Sequence, residues 1–266
     1  MPRERGAMTD LTPVYPYGPY WSKRDDTYEV AGAFGGKART CFALAQGARG
    51  LATAGSRSSP QVNIVAHIAR HLGVPCRVHV PSGQLMAELI QAKELGAELV
   101  QHYPGRNSVI IKRARDDAKA RGWVYVPFGM ECQEAVEQTR KQVENIPKDT
   151  SRIVVSVGSG MSLAGILCGC LDYGLEHVKV VGVVVGADPS QRLTRYAPFG
   201  WRQMVRLVAS KLDYGTPYDP GMAWPWFKLD PFYESKIVPF LKPGDLAWIV
   251  GIRSTEVKDG RTQAAP

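Results

Sequence analysis

From residue 50 onward, short apolar runs alternate with amphipathic segments of helical length. This alternation predicts an α/β fold, because neighbouring parallel strands need a long crossover that is usually a helix. The predicted strands are Gly50–Ala54, Cys76–Val80, Glu98–His102, Trp123–Val126, Arg152–Val157, Lys179–Gly186 and Leu246–Val250. The predicted helices are Gln61–Leu72, Gln84–Leu95, Asn107–Arg121, Cys132–Asn145 and Ser162–Leu171.

Length and composition allow one large domain or two compact lobes, since 44% of the 266 residues are hydrophobic. No apolar run is long enough to span a bilayer, and Met1–Thr9 lacks an apolar signal core, so we expect a cytoplasmic protein. The five cysteines fit that compartment. Cys168 and Cys170 are separated by one residue, which is not the spacing of a zinc site, and we expect no metal.

The formal net charge of +8 predicts attraction to anions without specifying them. A phosphate-bearing cofactor accounts for part of the charge, and a nucleic acid or another polyanion stays open as a partner. Solvated basic faces such as Lys112–Arg115 are the simpler explanation.

A glycine-rich segment, Ser156–Gly165, runs from a predicted strand into a predicted helix. Glycines let the backbone approach a ligand, and a helix start offers free N–H groups, so the segment is suited to binding an anion. It lacks the lysine of a Walker loop and the spacing of a dinucleotide fingerprint. A tight turn without a ligand is the alternative.

Two further loops contain groups suited to amino-acid chemistry. Lys37 follows two glycines, and partial burial beside a cation such as Arg39 would help it to lose its proton near neutral pH. The loop Thr53–Gln61 offers Ser58, Ser59 and an amide side chain to a carboxylate. For the lysine, an exposed side chain is the alternative, and for the serines it is simple helix capping.

Taken together and in order, these segments resemble the fold type II family of pyridoxal-phosphate enzymes, and most closely its aminocyclopropane-carboxylate deaminase and D-cysteine desulfhydrase branch. Gly36–Arg39 is similar to the family's Gly-Asn-Lys-x-Arg, and Leu229–Lys236 to the branch's Leu-Asp-Pro-Val-Tyr-Thr-Gly-Lys. The other matching segments are Lys23–Asp26, Ala43–Gly47, Thr53–Gly55, Pro127–Gly129 and Gly158–Gly160.

The resemblance implies pyridoxal 5'-phosphate as cofactor, a Schiff base (aldimine) at Lys37 and a homodimer. It implies two α/β domains, each a mostly parallel twisted sheet flanked by helices: a large domain of residues 1–44 and 128–266, and a small domain of residues 45–127 inserted in it. Implied cofactor ligands are Lys37, Gly158, Ser159, Gly160, Met161, Ser162 and Gly251. Implied substrate ligands are Ser58, Ser59 and Gln61, and implied catalytic residues are Lys37, Ser59, Tyr214 and Tyr218.

Three positions depart from the family pattern. Pro60 replaces an asparagine that contacts the cofactor ring oxygen, and Gly36 replaces the asparagine before the lysine. Gly251 stands where the branch has a hydroxyl residue near the pyridine nitrogen, with no carboxylate nearby in the sequence. We therefore predict a ring nitrogen without an acidic partner, which favours elimination or replacement at the β-carbon over transamination.

Three functions follow as hypotheses. The first is a lyase or deaminase that acts on an amino acid through Lys37 by β-elimination, replacement or deamination. The second is the same cofactor acting on an amino-acid moiety attached to a nucleic acid or another polyanion. The third is a protein that binds the cofactor without turnover. The proline-broken region after Ala187, with the aromatic run Trp224–Phe227, is predicted either to shape the pocket or to pack on itself.

Overall fold

The computed structural model describes residues 11–103 and 105–256, and these residues form two main sheets. The strands are β1 (Val14–Tyr17), β2 (Tyr20–Arg24), β3 (Glu29–Val30), β4 (Ala33–Phe34), β5 (Leu51–Ala54), β6 (Cys76–Pro81), β7 (Glu98–His102), β8 (Val124–Val126), β9 (Arg152–Val157), β10 (Lys179–Val184), β11 (Val205–Ala209) and β12 (Leu246–Ile249). The helices are α1 (Gly35–Leu44), α2 (Pro60–Leu72), α3 (Ala87–Glu94), α4 (Asn107–Arg121), α5 (Gln133–Lys141), α6 (Met161–Asp172), α7 (Ser190–Tyr196) and α8 (Trp201–Met204).

The larger sheet has six strands in the order β1-β2-β12-β9-β10-β11, and the smaller has four in the order β7-β6-β5-β8. Every pairing in both sheets is parallel except the hairpin of β1 and β2. The last strand of the chain, β12, therefore lies inside the larger sheet between β2 and β9. The predicted α/β class with mostly parallel sheets is confirmed.

The seven predicted strands are all present, each within two residues of its predicted ends. The predicted helices are also present, although two are shorter than predicted. The helix α3 begins at Ala87 because the backbone of Met86, with φ of −87° and ψ of 165°, is extended rather than helical. The helix α5 ends at Lys141, and the chain continues in turns to residue 146.

The predictions from sequence missed the hairpin β1–β2, the strand β11 and the two short helices α7 and α8. These elements are short, so the apolar periodicity within each one is too brief to identify it.

The aromatic run after residue 223 packs against the hairpin β1–β2. The rings of Trp224 and Phe227 lie 5.2 Å apart, Tyr17 lies 4.9 Å from Phe227, and Tyr20 lies 6.0 Å from Trp224. The aromatic run itself therefore packs on neighbouring rings, whereas Asp230, Tyr233 and Glu234, further along the same proline-broken region, line a pocket.

The two sheets share one hydrophobic core. Its buried members include Val62 and Leu89 from elements around the smaller sheet and Ile153 and Leu246 from the larger one. The smaller sheet uses only residues between 51 and 126, and the larger one only residues before 25 and after 151. The exact domain boundaries, at residues 44/45 and 127/128, stay predictions. No helix among the described residues is long and apolar enough to cross a membrane.

Candidate active site

A pocket opens at the carboxyl ends of β9 and β12, between the starts of α1, α2 and α6. It encloses about 650 Å³ including the open solvent at its mouth. Ligands of open parallel sheets bind at this edge. The residues that line it are Phe34, Lys37, Pro60, Ile64, Ser156, Val157, Gly158, Ser159, Gly160, Met161, Ser162, Leu163, Asp230, Tyr233, Glu234, Val250, Gly251 and Ile252.

Lys37 reaches this pocket because the start of α1 is held against the end of β12. The Gly36 amide donates a hydrogen bond to the Val250 carbonyl at 3.0 Å. A Cβ on Gly35 would lie 2.7 Å from both the Cα of Gly251 and the Val250 oxygen, and the φ of Gly35 is +83°. Two glycines are thus required for the close approach that aims Lys37 into the pocket.

The Lys37 ammonium is half-buried and, among the described residues, it makes no hydrogen bond or ion pair. It does lie near the ring of Tyr233, 5.9 Å from Nζ to the centroid. Burial lowers the pKa of Lys37 from its ordinary value; Glu234 opposes this shift and Arg253 adds to it. The pocket therefore favours the neutral amine, the form that acts as a nucleophile and base.

The cation that assists this shift is not the one predicted. Arg39 is a buried residue of α1 and pairs with Asp25 at 2.5 Å between Nη2 and Oδ1. Its charge is neutralised there. Arg253, whose neighbours Gly251 and Ile252 line the pocket, is the cation that acts on Lys37.

A row of backbone N–H groups lies at the opposite wall, from Gly158 to Leu163. Among the described residues, none of these six N–H groups has a hydrogen-bond acceptor, and no side chain caps α6. A helix start with free donors and a positive dipole end binds phosphate. The predicted anion-binding segment therefore has the donors that such a role requires.

Two glycines of this row have no space for a side chain. A Cβ on Gly158 would lie 2.9 Å from the ring of Tyr233, and one on Gly160 would lie 3.0 Å from Cβ of Pro189. Gly160 also has a φ of +91°, which other residues rarely adopt. The segment is shaped by glycine for close approach of backbone to ligand.

Two carboxyl groups, those of Asp230 and Glu234, also line the pocket. Asp230 accepts the amides of Phe232 and Tyr233 at 2.8 and 3.2 Å and pairs with Arg253 at 2.9 Å; burial raises its pKa, and these contacts oppose the shift. Among the described residues, the Glu234 carboxyl accepts the Ser156 hydroxyl, at 3.2 Å. Burial, and then the charge of Asp230, raise the pKa of Glu234 well above its ordinary value and favour its protonated form.

These carboxyl groups correct the prediction made from Gly251. The premise was that no acidic group is near the ring nitrogen, and it is wrong for the folded chain because Glu234 and Gly251 line the same pocket. The preference for elimination over transamination that rested on this premise is withdrawn.

The raised pKa of Glu234 predicts a pH-dependent difference in stability between the cofactor-free wild type and Glu234→Gln. A raised carboxyl pKa means that the folded state holds a proton that the unfolded state has lost, so wild-type stability falls as pH rises above the unfolded value of about 4.3. The glutamine variant has no such loss. We expect it to gain stability relative to the wild type from pH 4 to pH 8, by about 1.4 kcal/mol for each unit by which the pKa is raised.

Urea unfolding at several pH values measures this difference. The exposed Glu144 provides the matched control, since Glu144→Gln should track the wild type at every pH. Parallel stability curves for wild type and Glu234→Gln would show that Glu234 is ionised in the pocket.

The Gln61 side chain is directed into the protein, which contradicts its predicted role as a ligand of the substrate carboxylate. Its Nε2 donates to Thr53 Oγ1 at 2.9 Å and to the Pro127 carbonyl at 2.7 Å, and its Oε1 accepts the Gly129 amide at 2.9 Å. The residue is 1% exposed. Both N–H groups of its amide are used, one on β5 and one on the loop after β8, so no donor of this side chain is left for a substrate carboxylate.

The serines before α2 have the simpler role that the sequence also allowed. Ser59 caps α2, with Oγ accepting the Gln61 amide at 3.3 Å. The Ser58 carbonyl accepts from Tyr214 Oη at 3.1 Å and from Arg253. Neither serine lines the pocket, but Pro60 does. The loop therefore borders the pocket through its proline, and substrate binding by the two serines stays a prediction.

The two tyrosines predicted as catalytic lie outside the pocket lining. Tyr214 contacts Ser58 as described, and the Tyr218 amide donates to the Pro231 carbonyl at 2.8 Å. The tyrosine that lines the pocket is Tyr233, with its neighbour Glu234. Both lie in the Leu229–Lys236 segment that carried the family resemblance, and the acid–tyrosine–acid pattern there was the available signal.

With this geometry established, the comparison with known proteins identifies the class. The model of the pyridoxal-phosphate dependent enzyme family matches residues 19–222. The chain belongs to this family, and pyridoxal 5'-phosphate is its cofactor.

Individual relatives agree with the class. The chain is 26% identical to the mouse protein "Serine dehydratase-like" over 162 residues, 59% of this chain and 49% of that protein. The human protein of the same name is 28% identical over 123 residues, 44% of this chain and 36% of that protein. The chain thus spans about half the length, or less, of these curated relatives.

Solved structures show the fold type II architecture, as the resemblance implied. An ACC deaminase homologue superposes with a TM-score of 0.73 at 22% identity, covering 89% of this chain and 85% of that one. The L-serine ammonia-lyase from Rhizomucor miehei superposes with a TM-score of 0.65 at 15% identity, covering 91% and 93%. At these identities the likeness establishes the fold alone.

The residues present fit the cofactor. The six N–H groups from Gly158 to Leu163 are a donor set for its phosphate, and Lys37 is an amine, with a pKa lowered by burial, for its aldehyde. Glu234 is a buried carboxyl able to share a proton with its ring nitrogen. Pro60, where the family has an asparagine, has no donor to offer the ring oxygen.

Proposed function

We propose that the protein is a lyase or deaminase that uses pyridoxal phosphate to act on the amino group of a small amino acid, by β-elimination, replacement or deamination. The observation that carries the proposal is Lys37. It is an unpaired amine with a pKa lowered by burial, and it faces a phosphate-binding helix start across one pocket. A lysine that only stabilised the fold would be paired or exposed.

Each residue has a separate part in this function. When bound, the cofactor withdraws electrons from the bonds of the substrate α-carbon. Lys37 holds the cofactor covalently and, as a free amine, moves a proton to or from the substrate carbon through Nζ. The row Gly158–Leu163 holds the phosphate, and Glu234 holds the ring nitrogen.

The substrate carboxylate is assigned to the loop before α2. The amides of Ser56, Arg57 and Ser58 and the hydroxyl of Ser58 have no partner among the described residues, and the Ser59 hydroxyl accepts the Gln61 amide but keeps its own proton to donate. Consecutive free N–H groups with hydroxyls suit an anion. Phe34, Ile64 and Val250 make the remaining wall apolar, which suits a small substrate and excludes water.

The names of relatives and of superposable structures support this choice of chemistry. They include serine dehydratase-like proteins, an L-serine ammonia-lyase and an ACC deaminase homologue, all named for small amino acids. We propose the same substrate class here.

A panel of free amino acids tests the proposal. The loaded protein is titrated with L-serine, L-threonine, D-cysteine and 1-aminocyclopropane-1-carboxylate, while visible absorbance, ammonia and 2-oxo acid are measured. We expect at least one compound to change the spectrum and to release ammonia and 2-oxo acid in equal amounts. L-Alanine, which has no β-leaving group, should yield no product.

Spectral change without ammonia from any compound would contradict the lyase and favour cofactor binding without turnover. No response to any free amino acid would contradict the substrate class and favour an amino-acid moiety attached to a larger anion.

A further inference from the structure

Arg253 is a buried cation with partners on four other residues. Its Nη1 donates to the Ser58 carbonyl at 2.7 Å and to Glu88 Oε1 at 2.6 Å. Its Nη2 donates to Tyr214 Oη at 3.3 Å, and its Nε lies 2.9 Å from Asp230 Oδ2. With 2% of its surface exposed, the guanidinium is available to the protein alone.

These contacts join two parts of the structure. Ser58 and Glu88 belong to the loop before α2 and to α3, which pack around the smaller sheet. Asp230 precedes the 3-10 helix Glu234–Phe240, which packs on β9 of the larger sheet, and Arg253 follows β12. Arg253 is therefore a direct polar link between the two walls of the pocket.

The link fixes the orientation of one peptide in the loop before α2. The Ser58 carbonyl accepts both Arg253 and Tyr214, so both of its lone pairs are engaged. Because a peptide is planar, fixing this carbonyl also fixes the plane of the next residue's amide. Pro60, two residues on, lines the pocket. Arg253 thus fixes the position of the pocket wall that contains Pro60 relative to Lys37.

A guanidinium is required for this arrangement. The planar guanidinium group contacts a carbonyl, a hydroxyl and two carboxylates at once. A lysine ammonium on a flexible side chain contacts fewer partners in one geometry. Position 253 departs from the related branch, which has glycine there, so the sequence already indicated an unusual residue. Its contacts with Ser58 and Glu88 form only in the folded chain.

We propose that Arg253 is a positioning residue for the substrate: it holds the loop of residues 55–60, and with it the substrate carboxylate, in register with Lys37. The effect on the substrate carboxylate rests on the proposed function, whereas the effect on the loop rests on the contacts of Arg253 described above. Arg253 itself is not among the residues that line the pocket.

The test compares Arg253→Lys with Arg152→Lys in the cofactor-loaded protein. Arg152 is a matched control because it also joins a carboxylate, Asp245 at 2.8 Å, to a backbone carbonyl, Phe240 at 2.9 Å. It lies at the start of β9, the strand end opposite the pocket. The measurements are hydrogen exchange of the hydrogen-bonded amides of Ser59 and Gln61, the affinity for pyridoxal phosphate, and kcat and KM for L-serine.

For Arg253→Lys we expect loop exchange at least ten times faster and KM at least ten times higher. We expect kcat and cofactor affinity within threefold of the wild type. Arg152→Lys should leave loop exchange and KM unchanged. If Arg253→Lys does not fold, Tyr214→Phe, which removes the other donor to the Ser58 carbonyl, should shift exchange and KM in the same direction by two- to fivefold.

Wild-type loop exchange in Arg253→Lys, or equal acceleration in Arg152→Lys, would overturn the positioning role. Faster exchange with an unchanged KM would overturn its effect on substrate. If the wild type does not respond to L-serine or the rest of the panel, the proposed function fails, and loop exchange alone decides whether Arg253 holds the loop.

Discussion

Replacing Lys37 with alanine is expected to abolish the visible absorption band of covalently held pyridoxal phosphate and to lower turnover by about 10³- to 10⁴-fold, the scale of a lost general base. The reason is the position of Nζ, which is the amine of the pocket and has a pKa lowered by burial. The variant should still fold, because Nζ has no polar partner to lose among the described residues. Absorbance and circular dichroism of the variant measure both effects.

Lys23 provides the matched control. Burial, opposed by the charge of Asp25, lowers the pKa of Lys23 to about 7, so its amine is also a candidate nucleophile by acidity alone. Its Nζ is fixed, however, by the Thr12 carbonyl at 2.7 Å and Asn145 Oδ1 at 2.6 Å, outside the pocket. Lys23→Met should therefore keep the band at some cost in stability. Loss of the band in folded Lys23→Met, or its survival in Lys37→Ala, would reverse the assignment.

The second large effect is expected from Gly160→Val, which should weaken pyridoxal-phosphate binding by at least about 100-fold, or about 2.7 kcal/mol. The new side chain would press on Pro189, because its Cβ would lie 3.0 Å from the Cβ of that proline. A β-branched residue also resists a φ of +91°. Relief of this strain would turn the N–H row away from the phosphate. Equilibrium dialysis with the cofactor measures the affinity.

The opposite end of the same helix provides the control. Gly174 follows α6 with a φ of +66°, and a Cβ there would meet nothing within 4 Å. Gly174→Val carries a similar backbone cost without a neighbour to press on and far from the N–H row. It should lower stability but leave cofactor affinity unchanged. Equal loss of affinity in both variants would mean that general destabilisation, not the N–H row, is responsible.

The sequence was most informative where structure is local. The strand ending at Val157, the glycines after it and the start of α6 are consecutive in the chain, so their geometry follows from residue order. Lys37 was found through the resemblance to a family motif. Its reach into the pocket depends on contact between Gly35 and Gly251, which are distant in the sequence.

The errors concern side chains whose partners are remote in the chain. Gln61 could not be seen to bind Pro127 and Gly129, because those contacts exist only once β5 and β8 pair. Glu234 was missed for the same reason, since its carboxyl meets Ser156 only across the larger sheet. Local patterns predicted which loops matter, and the fold decided which side chain of each loop faces the pocket.

The most direct test of the account is to identify the lysine that carries the cofactor. The wild-type protein loaded with pyridoxal phosphate is reduced with borohydride, which fixes the link, then digested, and the labelled peptide is sequenced by mass spectrometry. We predict one label per chain, on Lys37. A label on Lys23, on Lys236 or spread over several lysines would contradict the active site described above.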